Sequence, residues 1–285
     1  MQAVAYSINI GGHLLCLDAP IVMGILNATP DSFFMHHEGA EAIAMRVRQM
    51  LAEGAKIVDV GACSTRPGFV PPDEQEEMRR LREALTIVRK EAPDAVVSVD
   101  TFRANVAKMC VEEFGIQIIN DISGGSLDAD MFTTAASLGV PYVLTHNAVI
   151  DETDDAPFMA QLLRDMGSKA EKLHEMGVCD VILDPGFGFG KTLEQNYTLM
   201  RNLEVLHELQ LPMLVGVSHK SMIYKMLGTT PDEALNGTTV LHTTALMKGA
   251  HILRAHEVKE AMECIKIVSE LNRKLPRCLT LASRT

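Results

Sequence analysis

Residues 95–121 read AVVSVDTFRANVAKMCVEEFGIQIIND, and the pattern of this stretch decides the fold. An apolar, β-branched run at 95–99 is followed by an amphipathic segment at 105–113 and by a second apolar run at 116–120. Continuous apolar runs of this length are typical of parallel strands that are buried on both faces, and a helix usually connects two such strands. The stretch therefore predicts one strand–helix–strand unit.

The same alternation extends in both directions from this unit. Short apolar runs predict strands at 21–26, 56–60, 95–99, 116–120, 140–144, 180–183, 213–217 and 250–253. Segments with helical periodicity lie between and after them, at 41–53, 73–91, 105–113, 128–138, 157–176, 193–209, 232–247 and 258–274. Eight strands alternating with eight helices favour a closed (β/α)8 TIM barrel of the α/β class, and an open doubly wound sheet is the alternative.

The length of the chain is consistent with one domain. It has 285 residues, and about 250 residues are usual for a single barrel of this kind. We therefore expect one domain over 1–285, with the barrel at 19–275 and a tail at 276–285. Within 1–18, the stretch SINIGGHLLCL has two short alternating runs joined at Gly11-Gly12, which predicts a β-hairpin that covers the N-terminal end of the barrel.

Composition excludes several classes of function. The formal net charge is −11, so the surface has no general attraction for nucleic acid or for an anionic membrane. The N-terminus lacks the features of a signal peptide, and no apolar stretch approaches the ~18 residues of a membrane span. The six cysteines have spacings that suit neither a zinc site nor a disulfide framework. These features predict a cytoplasmic enzyme with no nucleic-acid or membrane partner.

Polar residues follow nearly every predicted strand, and in a barrel all of these strand ends converge on one face. Asp100, Asn120, Asp184 and Lys220 come from four different strands. Helix capping would explain an isolated Asp or Asn, but it does not explain the lysine. Carboxylates and an amide can hydrogen-bond the edge of a flat heterocycle, and Lys220 could neutralise one of the two aspartates.

A second group of strand-end residues is cationic. Arg66, Arg254 and His256 follow predicted strands in an otherwise acidic protein, and Ser64 and Thr65 add hydroxyl groups beside the first of them. Arginine makes bidentate contacts with phosphate oxygens. The group therefore predicts a pyrophosphate pocket, with a salt bridge across the barrel mouth as the alternative interpretation of Arg254.

Seven motifs occur in order along the chain. They are MGILNATPDSF at 23–33, STRPG at 64–68, VDT at 99–101, INDISGG at 119–125, DPGFGFGKT at 184–192, SHKS at 218–221 and LRAHEV at 253–258. With these motifs the chain resembles the dihydropteroate synthases over nearly its whole length. The resemblance implies a transferase that joins para-aminobenzoate to hydroxymethyl-dihydropterin pyrophosphate, releasing pyrophosphate with the help of Mg2+ and cationic side chains. It also implies a homodimer.

The resemblance assigns roles to individual residues. Those expected to hold the pterin are Asp100, Asn120, Asp184 and Lys220, with Arg254 stacked on the ring and reaching the phosphates. Those expected to serve the pyrophosphate and its Mg2+ are Thr65, Arg66, His256 and, near the metal, Asn27. Those expected to shape the aminobenzoate pocket are Phe33, Pro67, Phe189 and Ser218. Catalysis is expected to depend on Asp100, Lys220, Arg254 and His256.

Four departures from the family pattern bear on turnover. After DSF, residues 34–38 read FMHHE, and Cys63 stands where the family commonly has Glu. Residues 144–149 read LTHNAV where LMHMQG is usual, and His219 replaces Arg. The histidines of FMHHE could suggest a metal site, but a solvated loop is the preferred interpretation.

Two other functions share the pterin-holding residues. One is that of a methyltetrahydrofolate:corrinoid methyltransferase, and the other is that of a catalytically weak pterin-binding paralogue. The STRPG loop and the pair Arg254 and His256 favour the synthase, because a methyltransferase needs no pyrophosphate pocket.

Overall fold

The computed structural model describes residues 6–28, 37–63 and 71–273, which form a β-barrel surrounded by helices, with a small hairpin before it. The strands are β1 (Ser7–Ile10), β2 (His13–Cys16), β3 (Ile21–Asn27), β4 (Ile57–Gly61), β5 (Val96–Asp100), β6 (Ile118–Asp121), β7 (Tyr142–Thr145), β8 (Val181–Asp184), β9 (Leu214–Val215) and β10 (Ile252–Ala255). The helices are α1 (His37–Glu53), α2 (Glu74–Glu91), α3 (Ala104–Phe114), α4 (Met131–Leu138), α5 (Asp155–Glu175), α6 (Leu193–Arg201), α7 (Ser221–Leu227), α8 (Leu235–Met247) and α9 (Val258–Leu271).

The eight strands β3 to β10 form one parallel sheet that closes on itself. Strands β3 to β8 pair in sequence order, and β10 lies between β3 and β9. A parallel bridge between Leu183 and Met213 joins β8 to the residue preceding β9 and completes the ring. The predicted (β/α)8 barrel is confirmed, and the open sheet is excluded.

The helical predictions need three corrections. The helix predicted over 193–209 is divided, because α6 ends at Arg201 and a 3-10 segment follows at Leu203–Leu209. The side chain of Asn202 donates to the carbonyl of Thr198 at 2.9 Å, and such a local bond competes with helix continuation. Helix α7 was not predicted, because seven residues are too short to show a clear periodicity. The helix predicted from 232 begins as a 3-10 turn, Pro231–Glu233, before α8.

The interior of the barrel is apolar at its N-terminal end. Side chains two residues apart on a strand face the same side. A buried cluster includes inward residues from most of the strands: Ile21, Met23, Ile57, Ile118, Val143, Ile182, Leu214 and Ile252. Ile8 and Leu17 belong to the same cluster, and the Asn9 N–H donates to Asp180 Oδ2 at 3.0 Å. The hairpin therefore covers the N-terminal end of the barrel, as predicted.

Two residues further along the strands, the inward positions become polar. They hold Asp59 on β4, Ser98 on β5, Asn120 on β6, Asp184 on β8 and Arg254 on β10. Most outward positions are apolar and pack beneath the helices, and Asp121 at the end of β6 is an exception. Along the described parts of the chain, no helix has the length and apolar character needed to cross a membrane.

Candidate active site

An ion-paired cluster fills the centre of the barrel mouth. Arg254 donates through Nε to Asp59 Oδ2 at 2.7 Å and through Nη2 to Asp100 Oδ2 at 2.6 Å. Asn120 Nδ2 donates to the same Asp59 oxygen at 3.0 Å. We call Asp59, Asp100, Asn120 and Arg254 the arginine cluster. It joins inward side chains of four strands, and three of its members are predicted site residues.

Burial and neighbouring charges together shift the pKa values of Asp100 and Arg254 in the arginine cluster. Burial raises the pKa of Asp100 to about 7, with the cation of Arg254 opposing this shift and the anion of Asp59 adding to it. Burial also opposes the charge of Arg254, but the two carboxylates outweigh it and raise its pKa further above the usual range. With both carboxylates ionised the cluster is net negative, because one guanidinium faces two anions. Such a centre favours a ligand that offers N–H donors or positive charge.

Asp184 and Lys220 lie beside this cluster. Asp184 Oδ1 accepts the backbone N–H of Gly186 at 2.8 Å. Burial raises the pKa of Asp184, and the cation of Lys220 opposes that shift. Burial lowers the pKa of Lys220 to about 8, while Asp184 opposes the change. The two residues therefore act as mutual counter-charges.

The hydrogen bond of Lys220 goes to a carbonyl rather than to a carboxylate. Its Nζ donates to the backbone oxygen of Phe187 and lies 4.4 Å from the ring centroid of Phe189. The sequence suggested that Lys220 neutralises one aspartate. In the structure Arg254 makes the ion pair with Asp100, and Lys220 is the counter-charge of the other aspartate, Asp184.

A buried lysine holds the glycine-rich loop after β8. Lys191 Nζ contacts His146 Nδ1 at 3.1 Å and three carbonyl oxygens, those of His146, Gly186 and Phe189, at 3.0 to 3.1 Å. Burial lowers its pKa to about 7. Gly186 has φ +71°, and a Cβ there would lie 2.0 Å from the His146 carbonyl oxygen, so only glycine fits. The loop is therefore fixed against the end of β7.

His256 lies in a second polar group at the mouth. Its Nδ1 is 2.9 Å from Ser218 Oγ, and Arg46 donates to its backbone carbonyl. Burial and the neighbouring cation of Arg254 lower the pKa of His256 to about 4. The sequence placed His256 in a cationic group with Arg254, but in the structure it is neutral at pH 7. Arg254 is therefore the cation of this pair.

His219 adopts a left-handed backbone conformation, with φ +53°, which histidine tolerates better than most residues. Its Nδ1 contacts the carbonyl oxygen of Pro231. Its Nε2 lies 2.9 Å from Glu257 Oε1, although not aligned as a hydrogen bond. Glu257 in turn accepts from Ser218 Oγ at 3.3 Å. The ring is thus held in place by polar neighbours.

Asn27 is the last residue of β3 and is half-buried. By the alternation of that strand it shares the inward face with Met23, towards the mouth. Cys63 follows β4, and burial together with the anion of Glu77 raises its pKa to about 12. Four predicted site residues lie outside the described part of the chain: Phe33, Thr65, Arg66 and Pro67. Residues 34–36 of FMHHE also lie outside it.

Two polar strand-end residues have structural partners. The carboxylate of Asp121 accepts the backbone N–H groups of Ser123 and Gly125 and the hydroxyl of Tyr142. Thr101 donates to Glu77 at 2.7 Å. These two positions shape turns and helix contacts rather than the ligand pocket.

Sequence reasoning missed Asp59 altogether. The residue was absorbed into the apolar run 56–60 as part of a strand. A charge in the middle of such a run was the available signal, because a buried carboxylate needs a partner. Lys191 is part of the glycine-rich motif at 184–192, but the sequence alone did not indicate its role in holding the loop.

Comparison with known proteins gives consistent results. A family model described as pterin binding enzyme matches residues 23–256. A dihydropteroate synthase from Clostridium beijerinckii is 40% identical over 258 residues, which covers 89% of this chain and 94% of the relative.

Solved structures of related enzymes share the fold. The dihydropteroate synthase of Clostridium difficile, in the presence of pteroic acid, superimposes with a TM-score of 0.84 at 32% identity, covering 90% of this chain and 98% of that one. The enzyme of Thermus thermophilus in complex with 6HMPPP gives 0.81 at 34% identity, with 93% and 100% covered. The same enzyme in complex with 4-aminobenzoate gives 0.82 at 36% identity, with 93% and 100% covered.

Proposed function

Because the chain belongs to the pterin binding enzymes, and within them to the dihydropteroate synthases, we propose that its barrel mouth catalyses the formation of dihydropteroate with the residues described above. The chain is a transferase that condenses para-aminobenzoate with hydroxymethyl-dihydropterin pyrophosphate to give dihydropteroate and pyrophosphate. The observation that carries the assignment of roles is the convergence of Asp100, Asn120, Asp184, Lys220 and Arg254 on one buried mouth.

The pterin is held by the polar inward residues. Asp184 and Asn120 accept hydrogen bonds from its amino and ring N–H groups, and Lys220 donates to its acceptor edge. The group has three carboxylates, at Asp59, Asp100 and Asp184, against the cations of Lys220 and Arg254. Its excess negative charge stabilises the pterin cation that forms when the carbon–oxygen bond to pyrophosphate breaks.

The departing pyrophosphate needs positive charge and hydrogen-bond donors. Arg254 reaches it from the pterin side, and His256 contributes a ring N–H, with the negative ligand favouring its charged form. Thr65 and Arg66 complete this pocket by resemblance to the family. The aniline nitrogen of aminobenzoate then attacks the cation, and it loses a proton as the carbon–nitrogen bond forms. By resemblance to the family, the walls around this second substrate are assigned to Phe33, Pro67, Phe189 and Ser218.

Magnesium fits the donors that the chain offers. Mg2+ usually takes one or two protein oxygen ligands and completes its shell with phosphate oxygens and water. The amide of Asn27, inward at the end of β3, would supply one such oxygen. When bound, the metal neutralises charge on the leaving pyrophosphate.

Dihydropteroate formation by the purified protein tests this assignment. Lys220→Met should lower kcat/KM by about 30-fold or more, because it removes a buried charged donor to the pterin and leaves Asp184 without its counter-charge, a loss of at least about 2 kcal/mol. Lys225→Met is the matched control, since Lys225 lies on the exposed side of α7. Product formation by the wild type and by Lys225→Met, but not by Lys220→Met, is expected. A wild type that binds pterin pyrophosphate without releasing product would instead identify a catalytically weak paralogue.

A homodimer in the cytoplasm is the second part of the proposal. Helix α9 carries the apolar residues Ile265, Val268 and Leu271, but Ile265 and Val268 are buried within the subunit. The apolar side chains that support association are exposed ones on α8 and α9: Val240, Met247, Ile267 and Leu271. Light scattering should give twice the mass of one chain, and Ile267→Lys should lower it. Free, exposed cysteines support a reducing compartment.

A further inference from the structure

A fully buried carboxylate lies at the centre of the barrel mouth without an assigned role. Asp59 sits in the middle of β4 and has no solvent exposure. Its Oδ2 accepts from both Arg254 Nε, at 2.7 Å, and Asn120 Nδ2, at 3.0 Å. Its Oδ1 is buried and has no hydrogen-bond partner among the described residues. A buried charge is costly, so its placement between two pterin-holding side chains calls for an explanation.

Asp59 determines which way the Asn120 amide faces. An ionised carboxylate can only accept hydrogen bonds, so the nitrogen of the amide must turn towards it. The oxygen of Asn120 then points away from Asp59. Since Asn120 is itself buried, no solvent competes for this choice. The amide is thereby fixed as an acceptor for whatever occupies the mouth.

Asp59 also fixes the guanidinium of Arg254. It binds Nε while Asp100 binds Nη2, so two carboxylates hold two different edges of one planar group. Neither carboxylate bonds Nη1. Rotation of the guanidinium would break both bonds, and its plane is therefore set before any ligand arrives.

We propose that Asp59 is a positioning residue of the pterin pocket, which acts by orienting Asn120 as an acceptor and by fixing the plane of Arg254. The inference rests on the proposed function, because it takes the ligand to be a pterin with N–H donors. Asp59 does not touch the substrate in this account. Its effect is on the affinity and orientation of the pterin, and not on aminobenzoate binding.

Calorimetric titration with hydroxymethyl-dihydropterin pyrophosphate tests the proposal. Asp59→Ala should weaken binding by about 10-fold or more, since the amide of Asn120 becomes free to turn. Asp59→Asn keeps one acceptor oxygen at this position and should recover much of the loss. The Michaelis constant for aminobenzoate at saturating pterin pyrophosphate should stay within about twofold of wild type.

A second substitution separates orientation from support of the fold. In the Asp59→Ala background, Asn120→Asp supplies an acceptor whichever way the side chain turns, so the double variant should bind pterin pyrophosphate more tightly than Asp59→Ala alone. Glu77→Gln is the matched control, because Glu77 is also a buried carboxylate paired with an arginine, Arg103, but lies outside the barrel. It should lower the melting temperature and leave the dissociation constant unchanged.

The outcomes are distinct. Equal affinity in wild type and Asp59→Ala, or a double variant no better than Asp59→Ala, would overturn the positioning role alone. Absence of pterin pyrophosphate binding in the folded wild type would instead overturn the proposed function. Melting curves on every variant identify any loss that comes from unfolding.

Discussion

Replacement of Asp184 tests the pterin pocket most directly. Its carboxylate is almost completely buried, accepts the Gly186 N–H at 2.8 Å and serves as the counter-charge of Lys220. Asp184→Ala removes the acceptor and leaves a buried ammonium without its anion. Truncating one partner of a buried, hydrogen-bonded charge pair costs about 2–5 kcal/mol. At about 1.4 kcal/mol for each factor of ten, the dissociation constant for pterin pyrophosphate should rise about 30-fold to 4,000-fold.

Asp184→Asn divides this effect into two parts. The amide oxygen can still accept from Gly186, so the loop after β8 stays anchored while the charge is lost. We expect a smaller loss for Asn than for Ala, because only the interactions with Lys220 and the pterin are weakened. Isothermal titration calorimetry on both variants, with melting curves as a folding control, measures the two effects. If both variants bound pterin pyrophosphate as tightly as wild type, the assignment of Asp184 to the pterin would be wrong.

Four further expectations concern the metal, pH and two side chains. Exhaustive chelation should abolish turnover but leave pterin binding intact, because the proposed Mg2+ would act on the pyrophosphate; activity that survived EDTA would contradict this. Burial raises the pKa of Asp100 to about 7, so this carboxylate becomes protonated as the pH decreases from about 8 to 6, and pterin affinity measured by calorimetry should fall over that range. A pterin affinity that did not change with pH would exclude ionised Asp100 as the form that binds the pterin. His219→Arg places a permanent cation beside Glu257 and should lower the Michaelis constant for aminobenzoate; an unchanged constant would exclude a role for positive charge at this position. Burial lowers the pKa of Lys191 to about 7, so above that pH the unfolded state binds more protons than the folded state, and the free energy of unfolding should rise from about pH 7 to 10. Denaturant titrations of Lys191→Met should lack this rise and give a lower free energy of unfolding. An unchanged rise in the variant would assign the pH dependence to another group.

The parts of the fold that follow from periodicity were predictable. Buried parallel strands are apolar on both faces, so all eight were found from short apolar runs. The ends were less certain, since the run predicted over 213–217 forms a strand only at Leu214–Val215, with Met213 in an isolated bridge to Leu183. Helix α7 was missed because its sequence is short. The break after α6 coincides with a side-chain hydrogen bond of Asn202, which no apolar pattern reveals.

The candidate site was predictable as a list of residues but not as a network. Strand-end positions identified Asp100, Asn120, Asp184 and Arg254, because a barrel brings those ends together. Their partners depend on distances of a few ångströms, and Asp59 therefore went unnoticed. The charge of His256 was assigned from its residue type, whereas burial beside Arg254 makes it neutral at pH 7. Protonation follows from the surroundings in the folded state, and these are not visible in the sequence.

The hairpin at the closed end of the barrel has a practical consequence for assay design. Cys16 ends β2 within that hairpin, and Cys179 lies two residues before β8 begins; both are exposed. Of the other described cysteines, Cys110 and Cys264 are buried, and the raised pKa of Cys63 keeps its thiol protonated at neutral pH. In a Cys278→Ser variant, which removes the one cysteine outside the described residues, maleimide coupling should therefore tether the protein to a sensor chip by the end opposite the mouth. An immobilised protein would then present its substrate-binding face to the flow, which suits surface-based screening of pterin-site inhibitors.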